Sequence, residues 1–120
     1  MRRKCNMLRD DAVRLRHMRD AAREAVEFAR GRSRADLNRD RMLLLSLVKD
    51  IEILGEAAFQ IPPSTREELS HIPWGDIIGM RHRLLHAYFD INLDVVWRTV
   101  MDDLPALLEL LAPVLPGDES

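Results

Sequence analysis

Apolar residues recur every three or four positions from Leu8 to Ala29, which is the spacing of one stripe along a helix. Arg and Asp fill most of the other positions, so the pattern predicts an amphipathic first helix. Gly31 follows where a left-handed helix cap is usual, and Ser33 or Asp36 offers an N-cap for the next helix. We therefore expect a short helix-helix corner after Ala29.

The second predicted helix, about Asp36 to Gln60, has a different character. Met42 to Val48 is almost wholly apolar, and more apolar residues follow at Ile51, Ile53, Leu54, Ala57 and Ala58. This distribution predicts an apolar surface around nearly the whole helix. Such a helix is either the central element of a bundle or also part of a subunit interface, and both can hold here.

Proline and capping residues divide the rest of the chain. Pro62 and Pro63 stop the second helix, and Ser64 to Glu68 has the residues of a capping box that opens a short helix or turn. Pro73-Trp74-Gly75 precedes a further predicted helix, which carries Ile77, Ile78, Met80, Leu84 and Leu85 inward and ends in the segment up to Tyr88.

The last predicted helix runs from Asp94 to Leu111, with Pro105 expected to kink it or to mark a join near Asp103. No segment has a convincing strand pattern. The predicted fold is all-α, an antiparallel four-helix bundle with a short extra helix. At 120 residues we expect one domain, with an ordered core over about 8–112 and a loose tail after Pro113.

The charge is unevenly distributed along the chain. Residues 1–41 carry a formal net charge of +6 and the remainder carries −8. A basic amphipathic helix can bind nucleic acid or an acidic protein, but it can equally pair with the acidic remainder of its own fold. Cys5, the single cysteine, excludes an intramolecular disulfide. No apolar run approaches the roughly 20 residues that span a bilayer, so we expect a soluble, cytoplasmic protein.

Side chains that can bind a phosphate or transfer a proton are concentrated in residues 81–88, Arg-His-Arg-Leu-Leu-His-Ala-Tyr. The guanidinium of Arg81 can hold two phosphate oxygens, and the imidazole of His86 can transfer a proton near neutral pH. Together they are a minimal set for phosphodiester cleavage. On an ideal helix the two side chains would point about 140° apart, so a symmetric dimer that doubles the set would make chemical sense.

Simpler interpretations of these residues stay open at this stage. Arg81 could pair with Glu56 or Asp76 inside the bundle. His82 and His86 have the four-residue spacing of a two-histidine metal site, but no Glu lies between them as in helical zinc proteases, so we expect no metal and no cofactor. Trp74 and Trp97 are expected to be core or interface anchors.

The chain resembles the HepT-like toxins of the HEPN superfamily over roughly Arg9 to Leu111. The most specific element is an Arg, four residues, His, one residue, Tyr, met by Arg81, His86 and Tyr88. Further matches, in the same order along the chain, are Gly55-Glu56-Ala57, Ile72-Pro73-Trp74, Gly79-Met80-Arg81, Asp94 through Trp97, and Asp103-Leu104-Pro105. One position departs from the pattern, since His82 stands where an Asn commonly follows the arginine.

The resemblance implies an HEPN-like bundle that acts as a metal-independent ribonuclease toxin and as a homodimer. It implies that Arg81 holds the scissile phosphate and that His86 is the general acid or base. Two further residues are candidate auxiliary residues on their own chemistry: His82, which departs from the family pattern, could share the proton transfer, and Glu56 could orient Arg81. It further implies a type VII-like toxin-antitoxin pair, in which a minimal, MntA-like nucleotidyltransferase antitoxin silences the toxin by transferring AMP from ATP onto Tyr88.

Two other classes of function remain compatible with the sequence. The chain could be a non-catalytic dimeric module that binds nucleotide or RNA and serves as partner of the nucleotidyltransferase. It could also be a helical adaptor whose acidic face or basic first helix binds another protein.

Overall fold

The computed structural model describes residues 9–87 and 90–115. Cys5, Tyr88 and residues 116–120 of the predicted tail lie outside this part of the chain. The described residues form seven α-helices: α1 (Arg9–Ala29), α2 (Asp36–Arg39), α3 (Arg41–Gln60), α4 (Pro63–Glu68), α5 (Trp74–Leu84), α6 (Leu93–Arg98) and α7 (Leu104–Leu111). The predicted all-α class is confirmed, with four long helical segments formed by α1, α3, α5 and the run from α6 to α7.

Helix α3 is the central element, because both α1 and α5 pack against it. One side of α3 is lined with buried residues, among them Leu47, Ile51 and Leu54, which are fully buried. From α1, Leu15, Met18 and Ala22 enter the same core. Burial of each large aliphatic side chain stabilises the fold by about 1.5–3 kcal/mol, so this interface holds the bundle together.

The predicted second helix is interrupted at Asp40. Asp40 has an extended backbone with φ −117° and ψ 90°, and its carboxylate accepts a hydrogen bond from the backbone N–H of Leu43 at 3.1 Å. The guanidinium of Arg32 donates to Asp40 at 2.6 Å. Asp40 is therefore the N-cap of α3, and the short α2 belongs to the corner that follows the left-handed Gly31 (φ 75°).

The predicted capping box at Ser64 is wrong, although a short helix does form there. Helix α4 already begins at Pro63, and its N-cap, Pro62, has no side chain that could accept a hydrogen bond. Thr65 is instead buried and donates its hydroxyl hydrogen to the carboxylate of Asp11, at 2.7 Å. This contact joins the beginning of α1 to α4.

The last long segment changes its winding where Pro105 was expected to disturb it. Residues Thr99–Asp103 form a π-helical turn, in which the N–H of Leu104 donates to the carbonyl oxygen of Thr99, five residues earlier. Pro105 cannot donate a hydrogen bond, and a wider turn before it relieves the clash with the preceding backbone. The predicted join is thus a π-turn, and Val100, Leu104 and Leu107 stay buried through it.

Two short strands, which the sequence pattern did not predict, lie between α5 and α6. Strand β1 (Leu85–Ala87) pairs antiparallel with β2 (Asp90–Ile91). The expectation that one helix carries residues 81–88 is therefore wrong, because α5 ends at Leu84.

Within one chain, α3 is not buried on nearly every side. Several large apolar side chains of α3 are exposed instead, namely Met42, Leu45, Ile53 and Phe59. Met42 is 80% exposed and Phe59 is 59% exposed, so these residues add nothing to the core of one chain. They leave an unusually apolar surface on the central helix.

Beyond the predicted core, Val114 and Leu115 still pack against the buried cluster. Within residues 9–87 and 90–115, none of the helices combines the length and the apolar character needed to cross a membrane.

Candidate active site

Arg81 lies in the last turn of α5 and is exposed to solvent. Within the described part of the chain, no hydrogen bond or ion pair holds its guanidinium. Other arginines are paired: Arg30 with Glu27, Arg34 with Asp94, and Arg83 with the carbonyl oxygen of Asp76. The simple interpretation, in which Arg81 pairs with Glu56 or Asp76 inside the bundle, is therefore wrong. None of its five N–H donors is taken by a described residue.

Arg81 lines a groove of about 260 Å³ between α3 and α5. Its walls are Glu52, Gly55, Glu56 and Phe59 from α3, and Ile78, Arg81 and His82 from α5. His82 is exposed beside Arg81, so both predicted site residues of α5 open onto the same groove. The combination of a guanidinium, an imidazole and an exposed aromatic ring suits a ligand that carries both a phosphate and a base.

Gly55 determines how closely the two walls approach. It is buried in α3, and a Cβ atom built on it would lie 3.5 Å from the carbonyl oxygen of Ile77 and 3.8 Å from that of Ile78. The backbone of α5 therefore lies at contact distance from α3 at this level. A side chain larger than that of alanine at position 55 would separate the helices and displace Arg81 from Glu52 and Glu56.

Glu56 faces the groove that Arg81 lines but is held by another partner. The amide nitrogen of Gln60 donates to the Glu56 carboxylate at 2.9 Å along α3. No ion pair between Glu56 and Arg81 forms in the described structure. Glu56 thus places negative charge near Arg81 without neutralising it through direct contact.

His86, the predicted proton-transfer residue, lies on β1 rather than on α5. Leu85 is paired with Ile91 and Ala87 with Asp90, so two steps along β1 match one step along β2. His86 is the extra residue of this β-bulge.

The change from α5 to β1 overturns the geometry expected from helical spacing. The 140° angle between Arg81 and His86 does not apply, since the two residues lie on different elements. His82 and His86 likewise do not form a helical i, i+4 pair. Tyr88, the third residue of the motif, lies outside the described residues.

A second groove, of about 390 Å³, adjoins the first and was not foreseen from the sequence. It is lined by Arg14 and His17 of α1, by residues of α3 and by Arg81 of α5, and it shares Glu52 and Glu56 with the first groove. The sequence signal was the three-residue spacing of Arg14 and His17 and the positions of Lys49, Glu52 and Glu56 on one side of α3. The groove itself arises only from the packing of α1 against α3, which these spacings do not specify.

A buried acid lies in the same α1–α3 interface. Asp50 is only 3% exposed, and its Oδ2 atom has no hydrogen-bond partner. Burial, together with the neighbouring carboxyl of Glu24, raises the pKa of Asp50 to about 7. The protonated form can donate to Glu24, which explains how the fold tolerates two carboxyl groups there.

The sequence profile described as ribonuclease HepT-like matches residues 18–114. The chain belongs to the HepT-like ribonuclease family. All three motif residues, Arg81, His86 and Tyr88, fall within the matched range, whereas Arg14 and His17 precede it. The HepT-like resemblance recognised in the motif is thereby confirmed.

Individual HepT-like relatives agree with this membership. A protein of Caldanaerobacter subterraneus named "Putative RNase TTE0752" is 34% identical over 88% of this chain and 94% of its own length. A protein of Thermococcus cleftensis named "Probable ribonuclease HepT" is 36% identical over 68% of this chain and 74% of its own length. No solved structure matches the chain.

Proposed function

We propose that this HepT-like protein is a metal-independent endoribonuclease that cuts RNA at the groove between α3 and α5. The observation that carries the proposal is the exposed guanidinium of Arg81, which lines that groove without a partner in the described structure. A cation of this kind fits a phosphate diester, and it lies five residues before the imidazole of His86. Membership of the family gives the reaction class.

The proposed reaction balances without a co-reactant. The 2′-oxygen of a ribose attacks the adjacent phosphorus, the bond from phosphorus to the 5′-oxygen breaks, and a 2′,3′-cyclic phosphate forms. One group takes the proton of the 2′-hydroxyl and another gives a proton to the leaving 5′-oxygen. Arg81 stabilises the charge that develops on the phosphate oxygens, and His86 performs one proton transfer. DNA lacks the attacking hydroxyl and should resist cleavage.

We further propose that the active form is a homodimer, because one His86 per chain supplies only one of the two proton transfers. His82, in the same groove as Arg81, is the alternative second group.

The proposed regulation follows the family resemblance. A minimal nucleotidyltransferase would transfer AMP from ATP onto the phenol oxygen of Tyr88, with loss of the phenol proton and release of pyrophosphate. The AMP adds bulk and negative charge close to His86 in the chain. Parent protein, but not the Tyr88→Phe variant, should gain the mass of AMP and lose activity when incubated with such an enzyme and ATP.

Cleavage of mixed RNA in excess chelator tests the ribonuclease proposal. We expect the parent to leave cyclic phosphate ends, and Arg81→Ala and His86→Ala to lose activity by roughly 10²–10³-fold while remaining folded. Arg83→Ala is the matched control, since Arg83 is an exposed arginine of α5 that lines a different groove. A folded parent that binds RNA without cutting it would contradict catalysis and favour the nucleotide-binding module.

A further inference from the structure

The groove between α1 and α3 carries positive charge from three different helices. Arg14 comes from α1, Lys49 from α3 and Arg81 from α5, and all three line the same surface of about 390 Å³. Like Arg81, Arg14 and Lys49 have no hydrogen bond or ion pair with any described residue. Three cations held on separate elements face one groove, together with the imidazole of His17.

The packing of α1 against α3 explains why these groups meet. The two helices are antiparallel: Glu24 contacts Asp50, and Arg14 shares the groove with Gln60. Arg14 and His17 are one helical turn apart and lie on one side of α1. Lys49, Ile53 and Glu56 follow one another at intervals of four and three residues along the exposed side of α3. The cations are therefore fixed in relative position by the core of the bundle.

The carboxylates in this groove determine what kind of anion it can accept. Glu52 and Glu56 also line it, so a compact polyanion over the whole surface would be repelled. An RNA strand differs, because its phosphates are separated by sugars and bases. Its phosphates can contact the cations, while ribose hydroxyls and base amino groups donate hydrogen bonds to the carboxylates.

We propose that this groove is a second RNA subsite, in which Arg14 and Lys49 hold backbone phosphates next to the one at Arg81. The proposal rests on the ribonuclease function proposed above and extends it to substrate length. Arg81 lines both grooves, so a single strand can pass from the scissile position into the subsite. The subsite makes the protein prefer oligomers over the smallest cleavable unit.

Two substrates of different length distinguish binding at the second groove from catalysis at the scissile phosphate. A dinucleoside monophosphate has only the scissile phosphate, whereas an oligoribonucleotide also reaches the second groove. We expect the double variant Arg14→Ala, Lys49→Ala to raise KM for the oligomer by on the order of tenfold, with kcat unchanged. Its kinetics on the dinucleoside monophosphate should equal those of the parent.

Binding is measured independently of cleavage with a 2′-O-methyl oligonucleotide, which lacks the attacking hydroxyl. The double variant should bind it about tenfold more weakly, and the salt dependence should fall by about 1.4 in log–log slope, which corresponds to two single-strand phosphate contacts. Arg23→Ala, Arg98→Ala is the matched control. It removes two positive charges from exposed positions outside the groove.

The outcomes are distinct. Equal oligonucleotide binding by the double variant and the parent, or an equal loss in the control, would overturn the subsite. A parent that cuts neither substrate would contradict the ribonuclease function, but a selective loss of binding in the double variant would still support the subsite. If the double variant fails to fold, Lys49→Glu at the same exposed position tests the subsite, with Lys49→Arg expected to retain binding.

Discussion

The backbone N–H of Asn92 donates a hydrogen bond to the carbonyl oxygen of Leu84, at 2.6 Å. Leu84 is the last residue of α5, so its carbonyl has no partner within the helix. The side chain of Asn92 also accepts from the N–H of Val95 at 3.1 Å and caps α6. One residue thus ends one helix, closes the hairpin that carries His86 and begins the next helix.

Two substitutions at Asn92 separate these roles. Asn92→Ala removes the cap alone and should lower the free energy of unfolding by about 1 kcal/mol, measured by urea denaturation. Asn92→Pro fits the observed φ of −82° but also removes the N–H that holds Leu84. We expect a greater loss of ribonuclease activity for Asn92→Pro than for Asn92→Ala. Equal activity of the two variants would mean that the bond to Leu84 does not position His86.

The buried Asp50 should make stability depend on pH. Its pKa of about 7 in the folded state lies above the unfolded value of about 3.9, so the folded state binds the proton more tightly. The contribution of Asp50 to stability should be fully present below about pH 4, fall by roughly 2–4 kcal/mol as the pH rises through about 7, and then level off. Urea unfolding across this range measures the effect.

The Asp50→Asn variant supplies the control for that dependence. Its uncharged amide should flatten the decrease and make the variant more stable than the parent at pH 8. Glu24→Gln should reduce the decrease in part, because burial of Asp50 remains. The same slope in Asp50→Asn and the parent would assign the pH effect to other groups.

Removing the hydroxyl of Thr65 should destabilise the contact between α1 and α4. Thr65→Val keeps the shape of the side chain but leaves the carboxylate of Asp11, which is 2% exposed, without this donor. We expect a loss of about 1.5–3 kcal/mol in thermal or urea unfolding. Thr65→Ser, which keeps the hydroxyl, should lose much less, and equal losses would point to packing of the methyl group instead.

Two substitutions at Gly55 should change the stability of the fold in opposite directions. The Cβ of Gly55→Ala would lie at an ordinary contact distance of 3.5 Å from the Ile77 carbonyl oxygen, and alanine favours a helix interior. We expect Gly55→Ala to be neutral or to stabilise by up to about 1 kcal/mol. Gly55→Leu should separate α3 from α5 and lower both stability and RNA binding. Destabilisation by alanine would show that no atom fits between the helices.

Much of the fold follows from local signals in the sequence. The stripe from Leu15 to Ala29, the left-handed Gly31 and the prolines at 62 and 63 predict the long helices and their ends, because periodicity and backbone restrictions act over one or two turns. These local signals did not predict the break at Asp40. Asp40 caps α3 locally through the N–H of Leu43, and its carboxylate is also held by Arg32, whose position is set by the folding of the corner.

The candidate site was predictable in its residue types but not in its geometry. No Gly or Pro follows Leu84, so nothing local indicates that α5 ends there. Its end coincides with the bond from Asn92, eight residues later, and with the pairing of β1 and β2. The groove at Arg14 and Lys49 could not be predicted from the sequence for a similar reason, because it exists only where α1, α3 and α5 meet.

Because His86 lies in a β-bulge, the four residues between Arg81 and His86 do not set the angle between the two side chains. In a helix they would fix an angle around an axis. In this structure, three of the four residues complete α5, and the fourth begins β1, which has one residue more than β2 across the paired positions. Deleting one residue from β1 would produce a regular ladder and reverse the alternation of every position beyond the deletion. The motif spacing is therefore a requirement on chain length across a junction between two elements, and it should tolerate a change of residue type at the exposed position 83 better than any insertion or deletion.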